Sequence, residues 1–559
     1  MEQSTDASPP AWQHEVDLLV VGAGAGGMTA ALTGGLSGLD TLLVEKASTY
    51  GGTTALSGGG IWVPNNPTLE RAGITDPEER VVEYLEHITG GRVGRDRLRA
   101  YAHHGPEMFR MFESRARHLR FTWCPGYSDY HPEAPGGRPE GRSVECPPFD
   151  MRRLGELAAT QRGSAMKVPG GLIITSADYV HLNMVTRTWR GRWRALSLGV
   201  RSTLNRLRRR RMVSLGQALV ARLRISLRDA GVPVWLETPL LELVRDADGA
   251  VLGAVVQRDG APYRIRARRG VVVASGGFDH NEAMRKEHLP EIGRADASGG
   301  ADSNTGDGIQ IGHAAGGALD LMDDAWWMPA VRKPDGRVHS LVSERSIPNS
   351  VILTPAGERF TNEASPYVTF VHEQIAHGHP YLWFVMDQTA RRRYPFGAVV
   401  PGADLPQAWY DAGTAHKAGT LDELAAATGM DATTLKASIA RWNGLVAGGK
   451  DTDFGRGESA YDRYYGDPTL PNPVLGSLTQ APYLAVRIEA GDLGTKGGLL
   501  TDAHGRVVDA DGGAVPGLYA TGNAAASVMG NDYAGAGATI GPAMVFGYLA
   551  ALHAAGVTH

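Results

Sequence analysis

Three glycines, Gly22, Gly24 and Gly27, follow directly on the apolar run Asp17-Leu-Leu-Val-Val21 and lead into a helical pattern from Met28 to about Leu36. A second apolar run, Thr41-Leu-Leu-Val44, ends at Glu45. This order predicts strand, tight turn, helix and strand, the opening unit of a parallel sheet. Glycine permits the turn and a close approach of backbone to a pyrophosphate. A helix starting there offers free N–H groups and the positive end of its dipole to the phosphates. Glu45 offers acceptors to ribose hydroxyls. Gly22, Ala23, Gly24, Gly27 and Glu45 are therefore the candidate dinucleotide contacts. The spacing alone does not choose between FAD and NAD.

A chain of 559 residues exceeds what one core organises, so two or more domains are expected. Apolar runs and turn signals predict a helix over 216–230, a meander of short strands between 232 and 268, and a buried strand over 271–274 followed by Ser275-Gly-Gly277. From about residue 319 the pattern mixes short strands with helices, over 421–427 and 431–447 for example. The glycine-rich texture returns after Lys496-Gly-Gly498. We therefore expect an α/β chain in which a Rossmann-like nucleotide-binding domain, residues 1–318 and 488–559, carries an inserted α+β catalytic domain, residues 319–487.

The choice of cofactor comes from resemblance. Glu45-Lys46, Gly51-Gly52-Thr53-Thr54-Ala55 and Ser57-Gly58-Gly59 resemble the isoalloxazine-contacting stretch of the fumarate reductase and ketosteroid dehydrogenase flavoproteins. Pro516-Gly-Leu-Tyr-Ala-Thr-Gly-Asn523 is similar to their strand and turn at the ribityl and pyrophosphate groups. The resemblance implies FAD. It adds Lys46, Gly52, Thr53, Thr54, Ser57, Gly58, Gly522, Asn523, Thr539 and Ile540 to the cofactor contacts.

Within that superfamily the chain resembles the 3-ketosteroid Δ1-dehydrogenases from Asp17 to about Ala551. Asn531-Asp-Tyr-Ala-Gly-Ala-Gly537 carries their Tyr-x-Gly-x-Gly element as Tyr533 to Gly537. Arg359-Phe-Thr-Asn-Glu363 is shared with fumarate reductases, but Ser365-Pro-Tyr367 stands where those enzymes place a catalytic arginine. Gly126-Tyr-Ser-Asp-Tyr130 is the third matching stretch. By this resemblance the Tyr533 hydroxyl and the Gly537 N–H hold a steroid C3 carbonyl, Tyr367 and Tyr130 form the proton-abstracting pair, and Tyr127 lines the pocket. Abstraction at C2 beside a ketone builds charge on the C3 oxygen, which two aimed donors stabilise. A phenol is a weak base, with a pKa near ~10, and needs a second tyrosine or a depressed pKa. The C1 hydrogen leaves as hydride to the flavin. A 3-ketosteroid is then the substrate. A Δ4-(5α)-dehydrogenase, a fumarate-type reductase and a non-catalytic membrane-associated flavoprotein are the alternatives.

Net charge is −4, yet residues 187–211 hold ten arginines and no acid. Val185, Trp189, Trp193, Leu196, Val200, Leu204 and Leu207 recur every three or four residues among them. That is the pattern of an interfacial amphipathic helix with cationic flanks, so residues 185–212 are a candidate peripheral contact with an anionic membrane. A surface helix packing this stripe inward is the alternative. The charges come with no nucleic-acid reader motif, so no nucleic-acid partner is expected. Residues 1–15 have no apolar h-region, no run of about 18 apolar residues occurs, and the two cysteines form no CxxC pair. The expected location is the cytoplasm, with contact at the inner face of the cell membrane. The 18 histidines show no ligand spacing along the chain, so no metal is expected. The electron acceptor stays open, a quinone-like molecule being compatible.

Overall fold

The computed structural model describes residues 11–164, 172–294 and 297–557. Its first sheet grows from the buried strand His14–Val21, flanked in parallel by Thr41–Val44 and by Ala261–Val273. Ala514–Ala520 joins the far side of Ala261–Val273 in parallel, so the C-terminal part of the chain returns into the nucleotide-binding sheet. Both faces of these strands are covered, which is why they read as unbroken Val and Leu runs. Helix Ala25–Leu36 lies on the sheet, and the almost wholly buried helix Ile540–Ala554 packs on it through glycine. A Cβ on Gly547 would stand 2.5 Å from the Gly26 carbonyl oxygen. The expected α/β architecture is present, with the nucleotide-binding sheet completed by the C-terminal return.

Two local expectations need correction. The last strand of the meander and the strand expected over 271–274 are not separate but one strand, Ala261–Val273. It pairs antiparallel with Val251–Arg258 over its first half and parallel with Ala514–Ala520 at its end, and it bends at Gly270, φ 132°. Val234–Trp235 belongs not to the meander but to the parallel edge beside Thr41–Val44.

The second sheet is antiparallel: Val338–Ser340, Ala325–Arg332, Tyr483–Thr495, Leu382–Met386 and Ser350–Leu353, with Ala415–Ala418 also on Tyr483–Thr495. The boundary expected at residue 487 falls inside that 13-residue strand, whose whole length pairs within this sheet. Hydrophobic alternation carries no mark of where a long strand passes from one body to the next.

The arginine-rich segment is a helix, Trp189–Leu207, capped by Thr188. It packs inward with Gly191, Leu198 and Ser202, and turns Trp189, Trp193, Leu196, Val200, Leu204 and Leu207 outward. Trp189 and Leu207 are each 75% exposed. Fully burying such a side chain contributes about 1.5–3 kcal/mol, so six left outside forgo on the order of 10 kcal/mol. Arg187 is tied to Asp467 at 2.6 Å and Arg194 to Asp178, which anchors the helix through its charges instead. Among the described residues no helix is long and apolar enough to cross a membrane.

Candidate active site

The expected cofactor segments converge at the start of helix Ala25–Leu36. Gly22 sits at φ 105°, and a Cβ there would lie 2.3 Å from the Ala274 carbonyl oxygen. Ala23 N donates to Glu45 Oε2 at 2.8 Å and Ala47 N to Glu45 Oε1 at 3.0 Å, fixing the carboxylate at the strand end. Gly24 is an extended N-cap without a side-chain hydrogen bond, and no acid occupies the first turn. Gly51 N donates to Ala23 O and Ala25 N to Thr54 Oγ1, clipping the segment 51–58 to this turn. Gly52 lies at φ 48°, and Thr53 Oγ1 accepts from Ala301 N and Asn304 Nδ2. Ser57 Oγ donates to Thr54 O and accepts from Gly59 N, while Gly58 faces open space. Lys46 is spent on Asp307 and Thr305, each at 2.5 Å, rather than left free.

The C-terminal return brings in Gly522 at φ 64° and Asn523, whose Oδ1 accepts from Trp326 Nε1 at 3.0 Å. Thr539 and Ile540 open the helix Ile540–Ala554, again without a side-chain cap or an acid in its first turn. Two uncapped, buried helix starts and one buried carboxylate form a donor and acceptor set that fits a dinucleotide carrying a pyrophosphate. The segment Asn304-Thr-Gly-Asp-Gly308 was missed in the sequence. It reaches Thr53 and Lys46, and its glycine spacing before helix Asp307–Ala314 was the available signal.

Gly27 gives a direct test. A Cβ there would stand 1.9 Å from the Gly22 carbonyl oxygen, too close for any relaxation of a side chain to relieve. Wild-type protein is expected to be yellow, with FAD held tightly and without a covalent link. Gly27→Val is expected to be purified without flavin absorbance. A Gly27→Val protein with a full flavin spectrum overturns the cofactor site.

Beside these helix starts the structure gathers the tyrosines. Tyr533 and Gly537 follow one another in the segment before Ile540. Gly537 has φ 97°, and a Cβ would lie 2.3 Å from the Gly60 backbone, so only glycine fits. The Tyr533 hydroxyl meets Thr539 Oγ1 at 2.8 Å, with the Gly537 backbone beside it. Tyr130 is clipped to the same segment by Tyr130 N donating to Ala534 O and by a bridge between Asp129 and Gly535. Its loop is held from within by the fully buried Arg142, paired with Asp129 and, at 2.9 Å, with Asp76. Tyr367 comes from the second sheet's side. It opens helix Tyr367–Ala376 behind Pro366, on a loop fixed by Arg345 donating to the Glu363 and Ser365 carbonyls at 2.7 Å. Arg359 pairs with Glu363 and Asp451, both at 2.8 Å, so the shared Arg-Phe-Thr-Asn-Glu stretch is a buried brace.

The Tyr130 hydroxyl donates to that of Tyr367 at 3.0 Å. The rings of Tyr130 and Tyr533 stack at 5.1 Å, and Tyr367 stands edge-on to both at 5.2 and 5.3 Å. Tyr127 lies 6.4 Å from Tyr130. Sequence reading missed Tyr461, 4.6 Å from Tyr130, and Tyr464 and Tyr465, which pack on Tyr127. The aromatic density of Ala-Tyr461-Asp-Arg-Tyr464-Tyr465 was the signal available. Burial pushes the Tyr130 and Tyr367 phenols well above their ordinary value. A depressed pKa is therefore not what assists the base in this arrangement. The hydrogen bond between the two phenols is the assistance on offer.

One expectation about histidines is corrected. His103 and His104 meet Glu107 on helix Arg95–Arg115, with ligand atoms within 4.8 Å. Their ring nitrogens face the carboxylates of Glu78 and Glu107. One helical turn created this grouping, and it contains none of the site residues. Cys124 and Cys146 are both free thiols, buried in the core.

Helix starts that fit a dinucleotide, beside a buried set of phenols, define a flavin-dependent oxidoreductase. The FAD binding domain family matches residues 17–540. The chain is 46% identical over 556 residues to the 3-oxosteroid 1-dehydrogenase of Mycolicibacterium smegmatis, covering 96% of this chain and 97% of the relative. A 4-oxocyclohex-2-ene-1-carboxylate 5-dehydrogenase of Sinomonas cyclohexanicum is 36% identical, covering 96% and 92%. The crystal structure of 3-ketosteroid Δ1-dehydrogenase from Sterolibacterium denitrificans in complex with 1,4-androstadiene-3,17-dione superimposes with a TM-score of 0.92 at 37% identity, over 98% of this chain and 100% of that one. The chain belongs to the FAD-binding 3-oxosteroid 1-dehydrogenase family.

Proposed function

We propose that this protein binds FAD and converts a 3-oxo-4-ene steroid to the 3-oxo-1,4-diene by removing the C1 and C2 hydrogens of ring A, a step of steroid breakdown. The observation that carries the reading is the meeting of the Tyr130, Tyr367 and Tyr533 phenols beside the Gly537 N–H. Tyr367, backed by Tyr130, takes the C2 proton, while Tyr533 and Gly537 donate to the C3 oxygen as it gains charge. FAD, when bound, accepts the C1 hydride. The nucleotide-binding body supplies Tyr130, Tyr533 and Gly537, and the inserted body, whose sheet holds the whole of strand Tyr483–Thr495, supplies Tyr367. Tyr127 presents a ring face to the steroid skeleton. Anaerobic addition of androst-4-ene-3,17-dione is expected to bleach the flavin and yield the 1,4-diene. No bleaching, or a product desaturated elsewhere, overturns the reading.

The outward stripe of Trp189–Leu207 supports a second element of function: peripheral docking on an anionic membrane, at the inner face of the cell membrane. Apolar side chains enter the interface while flanking arginines meet anionic headgroups, each contributing about 1 kcal/mol. This suits a poorly soluble substrate and a quinone-like acceptor held in the same bilayer. Changing Trp189, Trp193 and Leu196 together to Ser is expected to weaken binding to phosphatidylglycerol vesicles about tenfold or more while sparing turnover of a soluble ketosteroid, because these side chains face away from the fold. Equal vesicle binding of both proteins overturns the membrane assignment.

A further inference from the structure

A proton taken from C2 inside this core must leave it. Five tyrosines follow one another through the interior: Tyr533, Tyr367, Tyr130, Tyr127 and Tyr465. Their successive ring centroids lie 5.3, 5.2, 6.4 and 5.6 Å apart. The Tyr130 hydroxyl donates to Tyr367 at 3.0 Å. The Tyr127 ring lies between those of Tyr130 and Tyr465, and interaction with their hydroxyls opposes the rise that burial gives its pKa. Tyr130 is 2% and Tyr367 4% exposed, whereas Tyr127 and Tyr465 each reach 8%. The half-buried Tyr464 stacks on Tyr127 at 4.5 Å, at the rim.

Burial sets the condition. The Tyr130, Tyr367 and Tyr465 phenols all lie well above their ordinary value. A charge resting on any one of them is therefore costly, and a proton crosses such a row most cheaply when every phenol is neutral before and after. The hydroxyl is the one side-chain group that serves this, because it accepts and donates at the same atom.

We propose that Tyr127 and Tyr465 carry the C2 proton outward from the Tyr367–Tyr130 pair, each hydroxyl accepting a proton from its inner neighbour as it passes its own to the next, with Tyr465 releasing it to water. The inference rests on Tyr367 being the base. The electron pair of the C2–H bond stays on the substrate as the enolate. Tyr367 gains the C2 proton and gives its own to Tyr130, whose hydroxyl, the donor to Tyr367 at rest, turns outward to Tyr127 so that the bond between the pair reverses. One proton reaches solvent, and the row returns to its starting state with no oxidant or reductant involved. In this step the Tyr127 and Tyr465 hydroxyls act through Tyr130, separately from the contact of the Tyr127 ring with the steroid skeleton.

The test uses the FAD-loaded enzyme and androst-4-ene-3,17-dione deuterated at C2. It compares loss of label to water in unreacted steroid with turnover. In Tyr127→Phe and Tyr465→Phe the abstracted label has no way out and returns to its own carbon. The ratio of label loss to turnover is then expected to fall about tenfold or more, since one link of a general acid–base chain is missing. An unchanged ratio in both variants overturns the relay, as does an equal fall of label loss and turnover, which marks a packing role alone. Phenylalanine keeps the rings, and the flavin spectrum with steroid added reports that the site is intact. Tyr367→Phe separates the premises: if it keeps both label loss and turnover, the base assignment fails, whatever the outer tyrosines do.

Discussion

Tyr533→Phe is expected to lower kcat by about 10²–10³-fold, the scale of one lost oxyanion donor. The Tyr533 hydroxyl is bonded to Thr539 Oγ1, so it is oriented before a substrate arrives. An interaction that strengthens as the C3 oxygen gains charge acts on the transition state more than on the ground state. KM should therefore move less than kcat, because the apolar skeleton supplies most of the binding. Isotope exchange at C2 should slow in parallel. A 3-hydroxysteroid, which cannot form the enolate, should be a poor substrate of the wild type. If Tyr533→Phe keeps both turnover and exchange, the residue is only part of the cofactor loop.

The second large effect is at the base. Tyr367→Phe should bind FAD normally and lose about 10²-fold or more in turnover. Tyr130→Phe should lose less, because the Tyr367 hydroxyl stays in place when its partner at 3.0 Å is removed. Both rings remain in the T-shaped pair at 5.2 Å, so neither change opens a cavity. A rapid-reaction measurement of flavin reduction reads the step directly. Near-normal reduction in the Tyr367 variant removes it from the chemistry.

Much of this was legible along the chain because it is local. Strand, turn, helix and strand around Gly22 to Glu45 span few residues, and the glycines declare a backbone that a Cβ would block, as Gly22 and Gly27 do. The outward stripe of Trp189–Leu207 was also readable, since a helix repeats its face every turn. Its direction was not: a periodic stripe looks the same packed or exposed, and only the small Gly191 and Ser202 on the other face settle it. Tyr130, Tyr367 and Tyr533 were found through resemblance, since nothing in their spacing says that three distant segments meet. Tyr461, Tyr464 and Tyr465 escaped because an aromatic run on a short helix reads as ordinary core. Lys46 was legible as a position but not in its partner, because Asp307 lies more than two hundred residues away in the chain.

The backbone ties around residues 533–540 bear on how such an enzyme could be altered. Tyr130 is stitched to Ala534, Trp62 N donates to Gly537 O, and Thr539 opens the helix Ile540–Ala554. In the proposed roles, both carbonyl donors, the assisting phenol and one helix start thus belong to a single piece, and Tyr367 alone arrives on a separate loop. Swapping or reshaping the inserted body to admit a bulkier steroid therefore risks one alignment rather than four: the placement of a single hydroxyl against a fixed frame. Variation in substrate breadth should concentrate on the Tyr367 side of the cavity, where an error in fit costs rate without dismantling the cradle.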